Sequence, residues 1–453
     1  MTKKLPTTLL MACLTVATWL PLNAQGDNPS NLTELLVSKG ILTSTEVNSL
    51  NTTDPATEKA LVALLVDKGV ISSAEADSLA MSSRSSMLAS SSSAAGSTSS
   101  ASPAPETEST LVKAKDKAVK TLTISGRIQG QWDVLSTSYD NAPDPDSENN
   151  LFLRRLYLGA EAKFADNLKG YINMDLGNGA DGDAQLEKAV IEAGLSEHHT
   201  LTVGFQKVIF GYEEYTSSSK MKAVERSVGT RYFTEDFNAR HAGVFFSGAY
   251  DSGLIFDLAV TNPEGNSVSA SSGTDSLAYW GRLGWNGDIG DISVSTGVAG
   301  GYIPDIRVNG KADTVWNAYA NLNTGPFNLL VEFLGATAED AKLTGGDAQP
   351  ITFTFLPSFQ INDSFEVVLR YSQIDSDGGI GADISRVFRR APENGSALYD
   401  DVQAYYIGGN WYIRGNTLKL SAGYEWAKFE DNLTGTQGDA DGEGFRTRLQ
   451  LLF

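Results

Sequence analysis

Leu122-Thr123-Ile124-Ser125-Gly126-Arg127-Ile128-Gln129-Gly130-Gln131-Trp132-Asp133-Val134 is the stretch on which the reading of this chain turns. Every even-numbered position in it is apolar or glycine, and every odd-numbered position is polar. Side chains of an extended strand point alternately to opposite faces, so one face of this segment is oily and the other hydrophilic. A helix would scatter both sets around its circumference. The far end repeats the pattern: Phe445, Thr447, Leu449, Leu451 and Phe453 oppose Arg446, Arg448 and Gln450. Between them, Leu168 to Leu176, Leu254 to Val260, Phe327 to Gly335, Ile351 to Ile361 and Leu418 to Trp426 alternate in the same way.

Taken singly, such segments suit a soluble sandwich or propeller as well as a strand that shows one face to lipid and the other to water. The spacing separates these readings. Short connections occur at Ala165-Asp166-Asn167, Ser196 to His199, Asp251-Ser252-Gly253, Gly287 to Asp291, Thr324-Gly325-Pro326, Asn362-Asp363-Ser364 and Arg414-Gly415-Asn416. Long polar loops fall between them, around Asp140, Asp181, Lys220, Gly265, Asp305, Asp340, Gly379 and Asp431. Tight turns alternating with long loops are the pattern of bacterial outer-membrane barrels, with turns at the periplasm and loops outside. A lipid-exposed sheet must also close, because no backbone N–H or C=O can stay unpaired in hydrocarbon. The expectation is an all-β transmembrane barrel of 16 antiparallel strands over 121–453, with both barrel ends periplasmic. Trp132, Tyr171, Trp285, Tyr302, Trp411, Tyr412, Tyr424 and Trp426 suit its interfacial girdles. Phe453, with apolar residues alternating before it, resembles the terminal signal by which such barrels are recognised for insertion.

The preceding residues differ in kind. Lys3 and Lys4, the apolar run Leu9 to Leu20 and the small residues through Ala24 have the order of a signal peptide over 1–24. That segment holds the chain's single cysteine, Cys13, so the mature chain is expected to have no disulfide or thiolate site. Residues 25–80 contain an internal repeat, in which Leu35-Leu36-Val37-Ser38-Lys39-Gly40-Ile41-Leu42 returns as Leu64-Leu65-Val66-Asp67-Lys68-Gly69-Val70-Ile71. Each copy reads as a small helical hairpin, either a spacer or a periplasmic module with a partner in the envelope. Residues 81–120 read as a disordered Ser-rich linker ending in a short basic helix. The chain is therefore expected in the outer membrane of a Gram-negative-type bacterium, in contact with outer-membrane lipid, with its N-terminal segment periplasmic.

A formal charge of −20 argues against nucleic acid as a partner, since the phosphate backbone demands a basic surface. Sites for chemistry lack their parts. Gly177-Asn178-Gly179-Ala180-Asp181-Gly182 matches a dinucleotide fingerprint, but the strand before it alternates and Asp181 and Asp183 would repel a pyrophosphate. Asp439, Asp441 and Glu443 imitate a calcium loop, but Gln450 stands where the closing Glu belongs. The three histidines, His198, His199 and His241, form no HExxH pair. No catalytic residue, metal or cofactor is expected.

Residues 121–453 carry 25 Lys and Arg against 44 Asp and Glu, yet the two signs are segregated. The acids crowd the exterior loops. Arg127, Arg155, Lys163, Lys169, Lys188, Arg446 and Arg448 fall on the polar faces of strands one to four and the last strand, which closure makes into one basic wall. The long loop from Lys207 to Ala239 adds Lys220, Lys222, Arg226 and Arg231, and is a candidate to fold into the lumen and narrow it. Rings of basic side chains are how anion pores select, so the expectation is a diffusion pore for small hydrophilic solutes with a weak anion preference. The alternative is a structural anchor tied to the envelope through the N-terminal repeats.

Several pieces resemble one family. Ile124-Ser125-Gly126-Arg127 is followed by Phe152-Leu153-Arg154-Arg155-Leu156-Tyr157-Leu158-Gly159 and Tyr171-Ile172-Asn173-Met174-Asp175. Val203-Gly204-Phe205-Gln206-Lys207, Tyr212-Glu213, Ser217-Ser218, Glu225-Arg226-Ser227, the segment Arg240 to Gly243 and Asn410-Trp411-Tyr412 complete the set. In order and spacing these resemble the phosphate-selective porins of the O and P type. The resemblance implies a homotrimeric, 16-stranded anion pore with an inward-folded loop. The acidity of this chain departs from the family's basic lumens.

Overall fold

A computed structural model describes residues 109–112, 119–178, 183–237, 240–266, 276–307, 311–395 and 397–453. The expected signal peptide, the helical repeats and most of the linker lie outside those residues. Among the described residues no helix is long and apolar enough to cross a membrane.

Sixteen long strands make the wall. Its first half is β2 (Thr121–Tyr139), β3 (Glu148–Ala165), β4 (Leu168–Asn178), β5 (Asp183–Gly194), β6 (His199–Lys207), β7 (Arg240–Ala249), β8 (Leu254–Thr261) and β9 (Ala278–Ile289). The second half is β10 (Ile292–Arg307), β11 (Lys311–Thr324), β12 (Phe327–Ala338), β13 (Ile351–Asn362), β14 (Phe365–Asp375), β16 (Leu398–Asn416), β17 (Leu418–Asn432) and β18 (Ala440–Leu452). Each pairs antiparallel with the next, and β18 returns to β2 in an unbroken register from Ala440 opposite Tyr139 to Leu452 opposite Arg127. The sheet is closed and the expected strand number holds.

Two short strands stand outside the wall. β15 (Ala382–Asp383) adds to β16. β1 (Ser109–Val112) pairs with Leu122 to Ile124 of β2, so the basic segment read as helical begins as a strand. Its place follows from the register: β18 stops opposite Arg127, which leaves that edge of β2 open to another strand.

Alternation sets the two faces. Leu153, Ile172, Leu258, Leu283, Ile407 and Leu449 stand exposed outside, while Gln129, Asn317, Thr354, Arg370 and Ser421 are buried inside. Tyr302 and Trp426 are exposed outside, as girdle residues should be. Tyr171 and Tyr412 turn inward instead, against the ammonium groups of Lys188 and Lys419. The strands also outrun the expected boundaries. β4 reaches Asn178, which pairs with Asp183 of β5, and Arg307 of β10 pairs with Lys311 of β11, so strand pairing runs past the ends expected near Asp181 and Asp305.

Two loops fold into the lumen. Residues 208–237 carry α1 (Tyr212–Tyr215) and α2 (Val228–Asp236), the latter capped by Ser227, whose hydroxyl accepts from Thr230 N at 3.1 Å. Residues 376–397 carry α3 (Ile384–Val387), capped by Asp383, which accepts from Arg386 N at 3.0 Å. Their apolar residues, among them Phe210, Phe233, Ile384 and Phe388, join Leu135, Ile374 and Phe429 of the wall in one buried cluster.

Candidate functional site

Beside the loops lies an off-centre cavity of about 530 Å³ along the β2 to β9 side of the lumen. Two irregularities in the wall decide which charges reach it. Between β2 and β3 the register steps from Gln129 opposite Arg155 to Gly130 opposite Leu153, so Arg154 is an extra residue and both guanidiniums face inward. Between β4 and β5 it steps from Asn173 opposite Lys188 to Met174 opposite Leu186, which brings Glu187 and Lys188 inside together. A bulge places two neighbouring side chains on one face, which strict alternation forbids.

The cavity is lined by eleven Lys and Arg against six Asp and Glu. Each of the six acids is held. Glu192 pairs with Lys169 at 2.8 Å, Glu161 lies 3.5 Å from Lys163, and Glu187 binds Arg240. Asp257 accepts from Arg282 Nε at 2.7 Å, and Glu214 pairs with Arg226 at 2.8 Å and with Lys207. Asp175 accepts the backbone N–H of Leu156 at 3.0 Å and of Gly177 at 3.1 Å, stitching the bulge. Among the described residues Arg155 and Lys188 make no ion pair: Arg155 donates to Gln129 Oε1 at 2.9 Å, and the Lys188 ammonium lies 5.5 Å from the Tyr171 ring centroid. Positive charge therefore exceeds its internal partners along this wall.

Next to the cavity a charge network ties the loop to the wall. Glu225 accepts from Arg154 Nε at 2.6 Å, Arg448 at 2.8 Å and Gln131 at 3.1 Å. Beside it Arg446 donates to Asp133 at 2.8 Å, and Arg370 joins Glu425 at 2.5 Å to the carbonyl of Glu225 at 2.7 Å. Arg226 donates to the carbonyls of Glu213 at 3.2 Å, Glu214 at 3.0 Å and Thr216 at 3.1 Å, tying the loop to itself. Lys419 donates to the carbonyls of Ser219 at 2.9 Å and Met221 at 3.0 Å. Burial opposes ionisation of the loop's Glu225, but Arg154 and Arg448 overcome it and hold the carboxyl well below its ordinary value. Glu214 is likewise lowered, its burial outweighed by Arg226 and Lys207.

The basic residues expected to line the lumen therefore divide. Arg127, Arg155, Lys169, Lys188, Arg226 and Arg231 border the cavity; Arg127 also donates to Ser217 at 3.1 Å and lies 5.0 Å from the Tyr157 ring. Lys222, Arg446 and Arg448 do not: Lys222 pairs with Glu366 and Arg448 with Glu225 between wall and loop, while Arg446 pairs with Asp133 on the neighbouring strand β2. Lys163 and Lys220 also lie outside the lining. The residues of the expected basic wall thus lie in two places, Arg127, Arg155, Lys169 and Lys188 of β2 to β5 at the cavity and Arg446 and Arg448 of β18 away from it. Sequence reasoning missed Arg154 and Glu225 as a pair. The signal was the dipeptide Arg154-Arg155 itself, since strict alternation would put one of the two in lipid.

Comparison with known proteins follows the same outline. The family model for phosphate-selective porins O and P matches residues 123–290 and 295–453. Porin O of Pseudomonas aeruginosa is 28% identical over 242 residues, which are 48% of this chain and 50% of that protein. The chain thus spans about half the length of that relative. The outer-membrane channel DcaP of Acinetobacter baumannii shares the fold with a TM-score of 0.52 at 12% identity, over 73% of this chain and 97% of that one. An anion-selective porin from Comamonas acidovorans does so with 0.50 at 13% identity, over 73% and 99%.

Proposed function

The chain belongs to the family of phosphate-selective porins O and P, outer-membrane β-barrels, and from that premise we propose a channel for passive diffusion of small hydrophilic solutes with a weak preference for anions, phosphate-like ones included. The observation that carries this reading is the cavity lined by eleven Lys and Arg against six acids, each acid held, in which Arg155 and Lys188 form no ion pair. Rings of basic groups around a narrow aqueous passage favour anions. The exterior acids, such as Asp144 and Asp146, are expected to matter little, because charges farther than a Debye length are screened. The family is one of channels and not of enzymes. In this reading the tight turns face the periplasm, residues 25–80 sit there with an envelope partner, and the chain assembles as a homotrimer in outer-membrane lipid. A structural anchor would not require an open, charged passage.

The test is the reversal potential of the purified protein in a planar bilayer under a salt gradient. Replacing Arg155 and Lys188 together by Gln removes two cations that each contribute about 1 kcal/mol toward a monovalent anion nearby in a watery passage. The anion-to-cation permeability ratio is expected to fall severalfold, and block by inorganic phosphate to weaken. A wild type that already prefers cations, or a reversal potential that does not move in the variant, would overturn the reading.

A further inference from the structure

Residues 380–391 turn into the lumen between β14 and β16, and the diffusion reading assigns them no role. Phe388 is 1% exposed, with Ile384 and Val387 buried beside it, and all three pack in the apolar cluster that contains Tyr232 and Phe233 of α2. Polar contacts fasten the same surfaces. The Tyr232 hydroxyl donates to the carbonyl of Ile380, and Arg231 Nε reaches that of Arg386 at 3.5 Å. From the wall, Arg446 donates to the carbonyl of Arg389 at 2.8 Å, and its guanidinium lies 5.2 Å from the Phe388 ring. On its other side α2 sits directly against the barrel. Gly229 N donates to Ser372 at 3.2 Å, and a Cβ at Gly229 would lie 2.9 Å from Thr352. α2 is therefore held between β13 and β14 on one side and this segment on the other.

We propose that residues 380–391 are a second inward plug that clamps the constriction loop, with Phe388 as its wedge, and so set the aperture and selectivity of the passage. Both clamped parts border that passage: Arg231 and Thr234 from α2, and Arg389 from the plug. The 208–237 loop has its own fastenings at its tip, through Lys419 and Arg127, but its α2 half relies on the plug for the side turned away from the wall. Arg446 acts here as a positioning residue. It holds the plug and does not meet the solute. The proposal rests on the diffusion reading, because aperture has meaning only for a conducting barrel.

The experiment compares single-channel records of the full-length wild type with Phe388→Ala, Phe388→Leu, Tyr232→Phe and, as a control at an exposed loop position, Leu343→Ala. Barrel integrity is followed by the heat-modifiable shift on gels. Emptying the Phe388 site is expected to raise conductance by about a factor of two and to add open-channel noise, with the reversal potential moving toward zero. Phe388→Leu should restore most of the wild-type record, Tyr232→Phe should shift it in the same direction by less, and Leu343→Ala should not change it. If Phe388→Ala fails to form a barrel, Tyr232→Phe, which removes only a hydroxyl, decides. Folded variants with wild-type conductance, noise and reversal potential overturn the clamp. A wild type that forms a barrel but conducts nothing overturns the diffusion reading itself.

Discussion

Replacing Glu225 by Gln should release the constriction loop without opening the barrel. The carboxylate is 4% exposed and accepts four hydrogen bonds, two from Arg154, one from Arg448 and one from Gln131. Gln keeps the shape, removes the charge and turns an amide NH₂ toward one of the guanidiniums. Removing one partner of a buried ion pair costs about 3–5 kcal/mol, because the remaining charges stay buried without compensation. The loss falls on the contact between loop and wall, since the neighbouring strands keep their own backbone ladder. It should therefore appear as local opening. At about 1.4 kcal/mol per tenfold, amides of residues 217–227 should exchange roughly 10² to 10³ times faster in the variant, by hydrogen-exchange mass spectrometry in lipid nanodiscs. Adding Arg154→Gln should recover part of the loss, because it removes one of the stranded charges. The pH dependence has a definite sign. The folded carboxyl titrates below the ordinary Glu value of about 4.3, so its contribution is complete at and above that value and is lost only as pH falls through the depressed one. Wild-type protection should thus be flat from pH 7 to pH 5, apart from the intrinsic exchange rate. Equal protection in wild type and variant, or loss spread over β2 and β18 as well, would refute the reasoning.

Other changes test other links. A Cβ built at Gly126 lies 2.2 Å from Cζ of the Phe453 ring, so Gly126→Val should displace that ring and lower the yield of heat-modifiable barrel on gels. Lys419→Met strips a donor from two loop carbonyls at a cost of about 1–3 kcal/mol, and should add open-channel noise while leaving the reversal potential nearly unchanged. An epitope after Asp144 should bind antibody on intact cells, whereas one at Asn362-Asp363 should bind only after permeabilisation; the reverse result would invert the topology. Deleting residues 25–108, which spares β1, should leave a conducting barrel, measured in the same bilayer assay.

The wall was legible because lipid enforces one face on every strand, and residues such as Leu122 through Val134 alternate without a fault. What alternation could not show was its own interruption. The extra residues Arg154 and Glu187 each put a second charge inside, and nothing in the residues nearby marks a bulge except the cost of the alternative, an Arg or Glu in hydrocarbon. The loops near Asp181 and Asp305 were read as long because polar residues suggested exit from the strand, yet pairing continues past the expected ends. Of the site, Arg155 and Lys188 were readable from phase alone. The fate of Lys222, Arg446 and Arg448 was not, because their acidic partners lie up to 313 residues away in the chain. The inward turn of residues 380–391 was equally hidden: Ile384, Val387 and Phe388 read as ordinary loop residues until α2 is placed beneath them.

The seam between β18 and β2 fixes the order in which this molecule can come into being. Its hydrogen bonds join residues 440–452 to residues 127–139, and Gly126 to Phe453 beyond them at 2.7 and 3.1 Å. The first strand of the wall therefore waits for its sixteenth, and until then the sheet has two raw edges able to pair with any extended chain nearby. Such distant pairing is slow, since a long loop must close before any contact rewards it. A chain halted before β18 therefore leaves an open sheet with unpaired edges and not a smaller closed barrel. Completion is thereby tested at a single point, with no partly working product on either side of it.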